Sequence, residues 1–491
     1  MYKKCAVPLK SAERAFLTRI ERAVSANPFG HEREALDREL VPDATAPRSE
    51  IVDRVLETLA GELRRIGGGR PVVVRRYSAP DRELVERAVL FEVFHRYAED
   101  FDALIERETR AKERPPEVPF AKAALGDLAS HGFSEEDAVR YFAIFWQMRR
   151  AFHLIETTLT GESPCMVSLR ESLWNNVFTH DLALYVRLLS QRMDDFSTFI
   201  VGETGTGKGA AASAIGRSGF IPFDAKRRRF AASFVDAFVA TNVSEFSATL
   251  IESELFGHEK GAFTGAIAQH RGVLARCSRY GAIFLDEIGE LGAPIQIKLL
   301  NVLQDRSFRP VGSHQSQRFE GRVIAATNRD VTALRQSGSF RDDLYYRLCS
   351  DVIELPTLRR RLDEDPRELE RLIGAVLGSM VGSAEPELTG RVGEAVLADV
   401  GASYLWPGNV RELEQCVRRV LIARHYRPEA PPRRGEDDAL MAATDGGSWS
   451  AEELLNRYCA ALHRRAGTYD GVATKVGLDR RTVKRHVLAG R

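Results

Sequence analysis

The chain has 491 residues, 44% of them apolar and 28% charged. That is the make-up of an ordinary soluble globular protein of about three domains, and it excludes collagen-like, mucin-like and mainly disordered chains. Lys and Arg (70) nearly cancel Asp and Glu (69), so any case for nucleic acid or membrane binding must rest on a local patch.

The first twenty residues lack a long apolar stretch and a small-residue cleavage site, so they do not read as a signal peptide. No window approaches the roughly 18 uninterrupted apolar residues of a membrane span, and a cytoplasmic protein with no membrane partner is expected. Six scattered cysteines without a CxxC pair argue against a zinc ribbon or redox motif and read as buried free thiols. Residues 1–164 read as a mostly helical N-terminal domain. Asp81 to Glu108 carries apolar residues at helical spacings, and Glu113 to Pro119 is a breaker cluster. Ser134 to Thr157 is a helix rich in aromatics (Tyr141, Phe142, Phe145, Trp146, Phe152), which read as core.

From 165 to 355 short apolar runs alternate with helical stretches. Phe199–Val201, Ala282–Leu285 and Val323–Ala326 read as buried strands of a mainly parallel α/β sheet. Gly202, Glu203, Thr204, Gly205, Thr206, Gly207 and Lys208 follow the first strand and precede the helix former Ala210–Ile215. This is a phosphate loop in its strand–loop–helix setting: glycines let backbone N–H groups face phosphates, and Lys208 reaches the β/γ-phosphates. Gly209 stands where Ser or Thr usually offers magnesium a hydroxyl, which shifts weight for the metal to downstream acids.

The second strand ends in Asp286 and Glu287, about 80 residues on. Asp286 is placed to hold magnesium, alone or with Glu287, and Glu287 to polarise an attacking water. The third strand ends in Thr327 and Asn328, candidates to sense a γ-phosphate at the strand-tip edge where α/β folds bind ligands. ATP and Mg2+ are therefore the expected cofactors. Residues 356–426 return to helical periodicity, as a helical lid. Residues 427–450 are rich in Pro and Gly and read as a flexible linker.

Residues 451–491 hold nine Lys or Arg against four Asp or Glu. Three helices are predicted: Ala451 to Arg465, Tyr469 to Val476 and Arg480 to Leu488, an all-α helix-turn-helix layout. Val472, Val476, Leu478, Val483 and Val487 suit its core. Arg480, Arg481, Thr482, Lys484, Arg485 and His486 remain for phosphates and base edges.

The stretch Glu252 to Ala266 ends in Gly261, Ala262, Phe263, Thr264, Gly265 and Ala266. With Gly202–Lys208, Phe284–Leu291, Phe340–Leu348 and Trp406–Glu414 in the same order, it resembles the AAA+ activators of sigma-54 RNA polymerase, the bacterial enhancer-binding proteins. The likeness covers about 165–425 and the tail, which resembles a Fis-type helix-turn-helix. It implies a sigma-54-dependent transcriptional regulator and ATPase whose ring, from dimer to hexamer, remodels the sigma-54 polymerase holoenzyme from enhancer DNA. Residues 261–266 would contact sigma-54. Arg341 and Arg347 match arginine fingers that reach a neighbouring subunit's γ-phosphate, and Arg411 matches a lid sensor for nucleotide. Asn242 matches a position that holds the catalytic Glu in an inactive pose. The chain departs from the family at Gly209 and across Phe220 to Phe238, where Lys226–Arg229 reads as a solvated loop. Residues 1–164 are then a regulatory domain, but no receiver, PAS or GAF pattern is present and the signal stays open. The rival readings are another AAA+ remodeller, such as a chelatase or unfoldase, and a DNA-binding repressor with a degenerate ATP site.

Overall fold

A computed structural model describes residues 7–41, 48–110, 115–247, 250–382, 385–427, 450–466 and 468–489. Cys5, residues 113–114 of the breaker cluster and residues 428–449 of the predicted linker lie outside them. The chain divides into two compact units, Met1–Leu397 with Ser403–Arg424, and Ala398–Ala402 with His425–Arg491. No helix among the described residues is long and apolar enough to cross a membrane.

The first unit opens with α1 (Ser11–Ser25), α2 (His31–Leu40), α3 (Arg48–Ile66), α4 (Ala79–Arg96), α5 (Ala98–Arg110), α6 (Ala121–Ser130), α7 (Glu135–Thr158) and α8 (Pro164–Phe178). The run predicted from Asp81 to Glu108 is thus two helices, broken at Tyr97. Helix α7 starts where Ser134 Oγ accepts the Asp137 N–H at 3.1 Å, and Glu135, Glu136 and Asp137 complement the positive end of the helix.

Among the described residues the strands are β1 (Thr198–Val201), β2 (Phe223–Asp224), β3 (Arg229–Phe230), β4 (Phe238–Asn242), β5 (Ala282–Asp286), β6 (Ser307–Phe308), β7 (Gln317–Arg318), β8 (Arg322–Thr327) and β9 (Asp351–Glu354). Five form one parallel sheet in the order β4-β5-β8-β1-β9. The central strands β1, β5 and β8 are almost wholly buried, as strands covered on both faces must be, so they read as unbroken apolar runs. Alternation sends Val323 and Ala325 of β8 to one core and Ile324 and Ala326 to the other. The second of these cores lies under the helix Lys208–Gly216, called α10 below because the single turn α9 (Leu182–Leu184) precedes it.

Helix α7 joins the N-terminal helices to this sheet. Phe142 and Trp146 stack on Phe230 and meet Phe223 and Phe234 edge-on, in the β2–β3 region, with ring centroids 4.8 to 6.2 Å apart. Its Ala151 and Ile155 share a core with Ala211, Ala212 and Ile215 of α10. Packing is therefore continuous across the boundary expected at 164/165. The charge run Lys226–Arg229, expected as a solvated loop, is exposed and makes up the turn of the β2–β3 hairpin and the first residue of β3.

The helices Leu358–Glu364, Glu368–Val381, Pro386–Val400 and Asn409–Ala423 fill the region predicted as a lid. Arg361 and Glu368 form a buried ion pair at 2.7 Å. It also takes up the backbone leading into α8: Arg361 donates to Thr160 O and Glu368 accepts the Ser163 N–H. Breaking one partner of such a buried pair typically costs about 3–5 kcal/mol.

In the second unit, the helices Ala451–Ala466, Tyr469–Val476 and Arg480–Ala489 enclose Cys459, Val472, Val483 and Val487. This agrees with the predicted three-helix layout to within a residue at each end.

Candidate functional site

The loop after β1 turns through Gly205 and Gly207, with φ of +80° and +100°. Side chains other than glycine rarely adopt that backbone. Gly205 is also pressed on the lid: a Cβ there would lie 2.2 Å from Gly408 O. Lys208 opens α10, is 7% exposed, and donates from Nζ to Gly202 O at 3.0 Å and Glu203 O at 3.3 Å. Burial lowers the pKa of its ammonium, opposed by the nearby Glu287 and Asp286 charges and reinforced by Arg411. An anionic ligand would relieve that burial cost. Thr206 Oγ1 donates to Glu203 O and so braces the turn.

Asp286 ends β5, and its Oδ1 accepts the N–H of Glu287 at 3.0 Å. Glu287 adopts φ +57° and ψ +40°, a left-handed conformation that costs a non-glycine residue about 1 kcal/mol or more. Asn328 ties this carboxylate to the phosphate loop. Its N–H donates to Glu287 Oε2 at 3.1 Å and its Nδ2 to Thr204 Oγ1 at 3.0 Å.

A cavity of about 530 Å³ is lined by Thr204–Ala210, Asp286, Glu287 and Arg411 on its polar side, and by Leu159, Met166, Leu372 and Val376 among its apolar residues. Backbone N–H groups at a helix start, a buried ammonium, two carboxylates and an apolar slot fit a nucleotide with its phosphates at the loop. Among the described residues no cluster of three or more His, Cys, Asp or Glu could hold a metal unaided. A magnesium ion would therefore rest on Asp286 and on the nucleotide's own phosphates, as that ion commonly does. Gly209 is exposed, and a Cβ there would meet only Phe284 Cε1 at 3.8 Å. The departure at this position thus leaves room for a side chain.

Some expectations need correction. Thr327 is fully buried and its Oγ1 accepts the Arg329 N–H, so it does not face the phosphates. Strand alternation explains this: Thr327 follows Val323 and Ala325 on the sheet face away from α10. Asn242 lies beside Asp286 in the β4–β5 register, but its Oδ1 accepts from the N–H and the hydroxyl of Ser244 and does not bond Glu287. His486 is 6% exposed, and its Nδ1 lies 2.7 Å from Asn456 Oδ1. It shares the inward face with Val483 and Val487 at helical spacing, so it is core and not DNA contact.

Arg480, Arg481, Lys484 and Arg485 are exposed on the last helix, while the Thr482 hydroxyl donates to Asp479 Oδ2 and helps start it. Arg341 and Arg347 stay away from their own chain's cavity. Arg341 makes a two-pronged pair with Asp343, and Arg347 donates to Leu303 O. Both arginines are exposed.

Residues 261–266 form a turn closed by Gly261 N–H to Ala266 O at 2.8 Å. Gly261 and Gly265 have φ of +81° and +103°, which the tight turn requires. Phe263 is 40% exposed and meets the His258 ring edge-on at 4.9 Å, while Ala266 is buried beneath the turn. Ile267, just beyond, is 83% exposed.

Sequence reasoning missed the tie between loop and lid. Glu203 takes a two-pronged ion pair from Arg359 and the Asn409 Nδ2 donor at 3.1 Å. Asn409 also donates to Thr204 O and accepts the Leu358 N–H. Its place inside Trp406–Glu414 was visible, but Glu203 and Thr204 lie 206 and 205 residues away in the chain.

Residues 180–354 match the family model described as "Sigma-54 interaction domain". The transcriptional regulatory protein ZraR of Klebsiella oxytoca is 35% identical over 66% of this chain and 67% of its own length. The chain belongs to the sigma-54-dependent transcriptional regulators. The hydrogenase transcriptional regulatory protein HoxA of Bradyrhizobium diazoefficiens is 38% identical over 58% of this chain and 58% of its own. The Nif-specific regulatory protein of Azotobacter vinelandii is 42% identical over 46% of this chain and 40% of its own. The chain thus spans between two fifths and two thirds of the length of these relatives. Within this regulator the matched segment runs from the end of α8 through the phosphate loop, the 261–266 turn and the whole central sheet.

Proposed function

We propose that this sigma-54-dependent regulator hydrolyses ATP in a ring of its own copies and uses the motion to remodel a sigma-54 polymerase–promoter complex while its last helix holds enhancer DNA. The carrying observation is the cavity in which Lys208, Asp286, Glu287 and Arg411 share one lining. Magnesium bound with ATP would offset phosphate charge beside Asp286. Glu287 would accept the proton of the attacking water, with Asn328 setting its orientation. Arg411 would bind phosphate from the same chain. Arg341 and Arg347, exposed and remote from their own cavity, suit the cavity of a neighbouring subunit. The 261–266 turn, carrying Phe263, would meet sigma-54, and Arg480, Arg481, Lys484 and Arg485 the DNA. Thr482 would support them by fixing the helix start.

Two measurements test this. Glu287→Gln should cut ATP turnover at least about 100-fold, the size typical of losing a general base, with nucleotide affinity retained. Open-complex formation by sigma-54 polymerase at high protein concentration should require ATP and disappear in Phe263→Ala. ATP turnover without open-complex formation would reject the polymerase partner and favour another remodelling substrate. No turnover in the unaltered protein would favour the repressor reading.

A further inference from the structure

A second cavity, of about 510 Å³, lies between the N-terminal helices and the segment that leads into β1. Its floor is Leu90, Phe91 and Phe94 of α4 with Tyr141, Ile144, Phe145 and Met148 of α7. Its other wall is the segment Asp181–Leu184 with Val186 and Arg187. The size suits a small organic ligand, and rings and a thioether around the floor suit an apolar, ring-bearing one. The polar groups sit in two states. Glu86 accepts from the Tyr141 hydroxyl at 2.6 Å, and Asp181 from the Leu184 N–H at 3.0 Å. Glu83 and Arg187 have no hydrogen-bond or ion-pair partner among the described residues, and both are exposed at the rim. With the Ser25 hydroxyl, they are the groups left to meet a polar substituent.

What surrounds the cavity connects it to the nucleotide site. Helix α7 presents Tyr141, Ile144, Phe145 and Met148 to the cavity, and turns Gln147 and Arg150 the other way. Gln147 donates to Ser218 O at 2.9 Å, and Arg150 donates to Gly219 O, both just past the end of α10, the helix that begins with Lys208. The wall segment is held by the same glutamine: Tyr185 OH donates to Gln147 Oε1 at 2.9 Å and accepts from its Nε2 at 2.7 Å. Tyr185 starts a π-helical turn, Tyr185–Leu189, a rare geometry often found at functional positions. Anything that parts the wall from α7 therefore pulls on the groups that fix the far end of α10.

We propose that this cavity binds a small aromatic or cyclic apolar molecule with one polar substituent, and that its occupancy changes nucleotide affinity through Gln147, Tyr185 and Arg150. The coupling rests on the nucleotide reading above; the binding does not. The probe is 1-anilinonaphthalene-8-sulfonate, two ring systems with one sulfonate, titrated by fluorescence into the full-length chain without nucleotide. Saturable one-to-one binding is expected. Ala183→Trp, at an exposed wall position, and Met148→Trp, at the floor, should each weaken it at least ten-fold. Saturating probe should change the affinity for a fluorescent ADP analogue at least three-fold in the unaltered chain and not in Ala183→Trp, and the analogue should change probe affinity by the same factor. Unsaturable binding, or equal binding in both tryptophan variants, overturns the site. Probe binding with unchanged ADP affinity overturns the coupling. A chain that binds no ADP analogue at all overturns the nucleotide reading and the coupling together, and leaves the cavity judged by the probe alone.

Discussion

His95 shows how a single half-buried group sets a response to pH. It sits against Phe91 and Phe94, with ring centroids 4.2 and 4.8 Å away, and burial pulls its pKa down to about 4. Its Nδ1 meets Phe91 O at 3.0 Å, which partly opposes that shift. A histidine held neutral in the fold but free to protonate when unfolded stabilises the fold above about pH 6.5. That contribution fades as pH falls from 6.5 towards 4. Urea unfolding at pH 7 and pH 5 should therefore show a loss larger by about 2 kcal/mol in the unaltered chain than in His95→Gln. An equal loss would mean that the ring is not kept neutral. Glu287 is the opposite kind of residue: its place after an apolar strand was legible, but its left-handed backbone was not, because nothing local in Leu285-Asp286-Glu287-Ile288 asks for it. Thr327 was misread because being next to Asn328 in sequence puts its side chain on the opposite face of the strand.

Elements were legible in proportion to how completely they are buried. The three central strands stood out as apolar runs, whereas β4 and β9 were not predicted as strands. These two are the edges of the sheet, and β9 buries only Ile353 of its four residues. Edge strands carry polar side chains because one flank is open, so they lose the apolar signature. Strand order is equally invisible, since it depends on which crossovers pack. The loop–lid tie belongs to this scale too. Glu203→Ala removes the acceptor for Arg359 and one of the two for Asn409 Nδ2, which loosens the lid helices from the phosphate loop while the bond to Thr204 O remains. The pair is partly exposed, so the effect on folding should be small. Affinity for an ADP analogue should fall about three- to ten-fold, the worth of roughly one hydrogen-bonded contact. Arg359→Ala should reproduce it, and the double variant should be no worse than either alone. Additive losses would show that the two residues act separately.

At the level of the whole molecule, the aromatic face of α7 decides where the chain can be divided. A chain beginning near residue 160 loses Phe142, Trp146, Gln147 and Arg150, and uncovers Phe223, Phe230 and Phe234. One beginning at Ser134 keeps α7 with its cap. Losing one buried Phe or Trp typically costs about 3–5 kcal/mol, so the shorter chain should melt on the order of 10 °C lower or fail to stay soluble. Equal melting temperatures would show that the sheet and lid hold without α7. The composition of Ser134 to Thr157 predicted a core helix; it could not say whose core, because its rings pack both on Phe101 and Phe120 and on Phe223, Phe230 and Phe234 beyond the phosphate loop.

The same stacking governs how the protein is made. A ribosome delivers Trp146 about ninety residues before Phe234, which at typical synthesis rates is on the order of ten seconds. Throughout that interval the nascent chain carries an aromatic stripe that Phe101 and Phe120 cover on one side and whose remaining cover has yet to be translated. The N-terminal helices therefore reach their final packing only when the β2–β3 hairpin has emerged to close over α7.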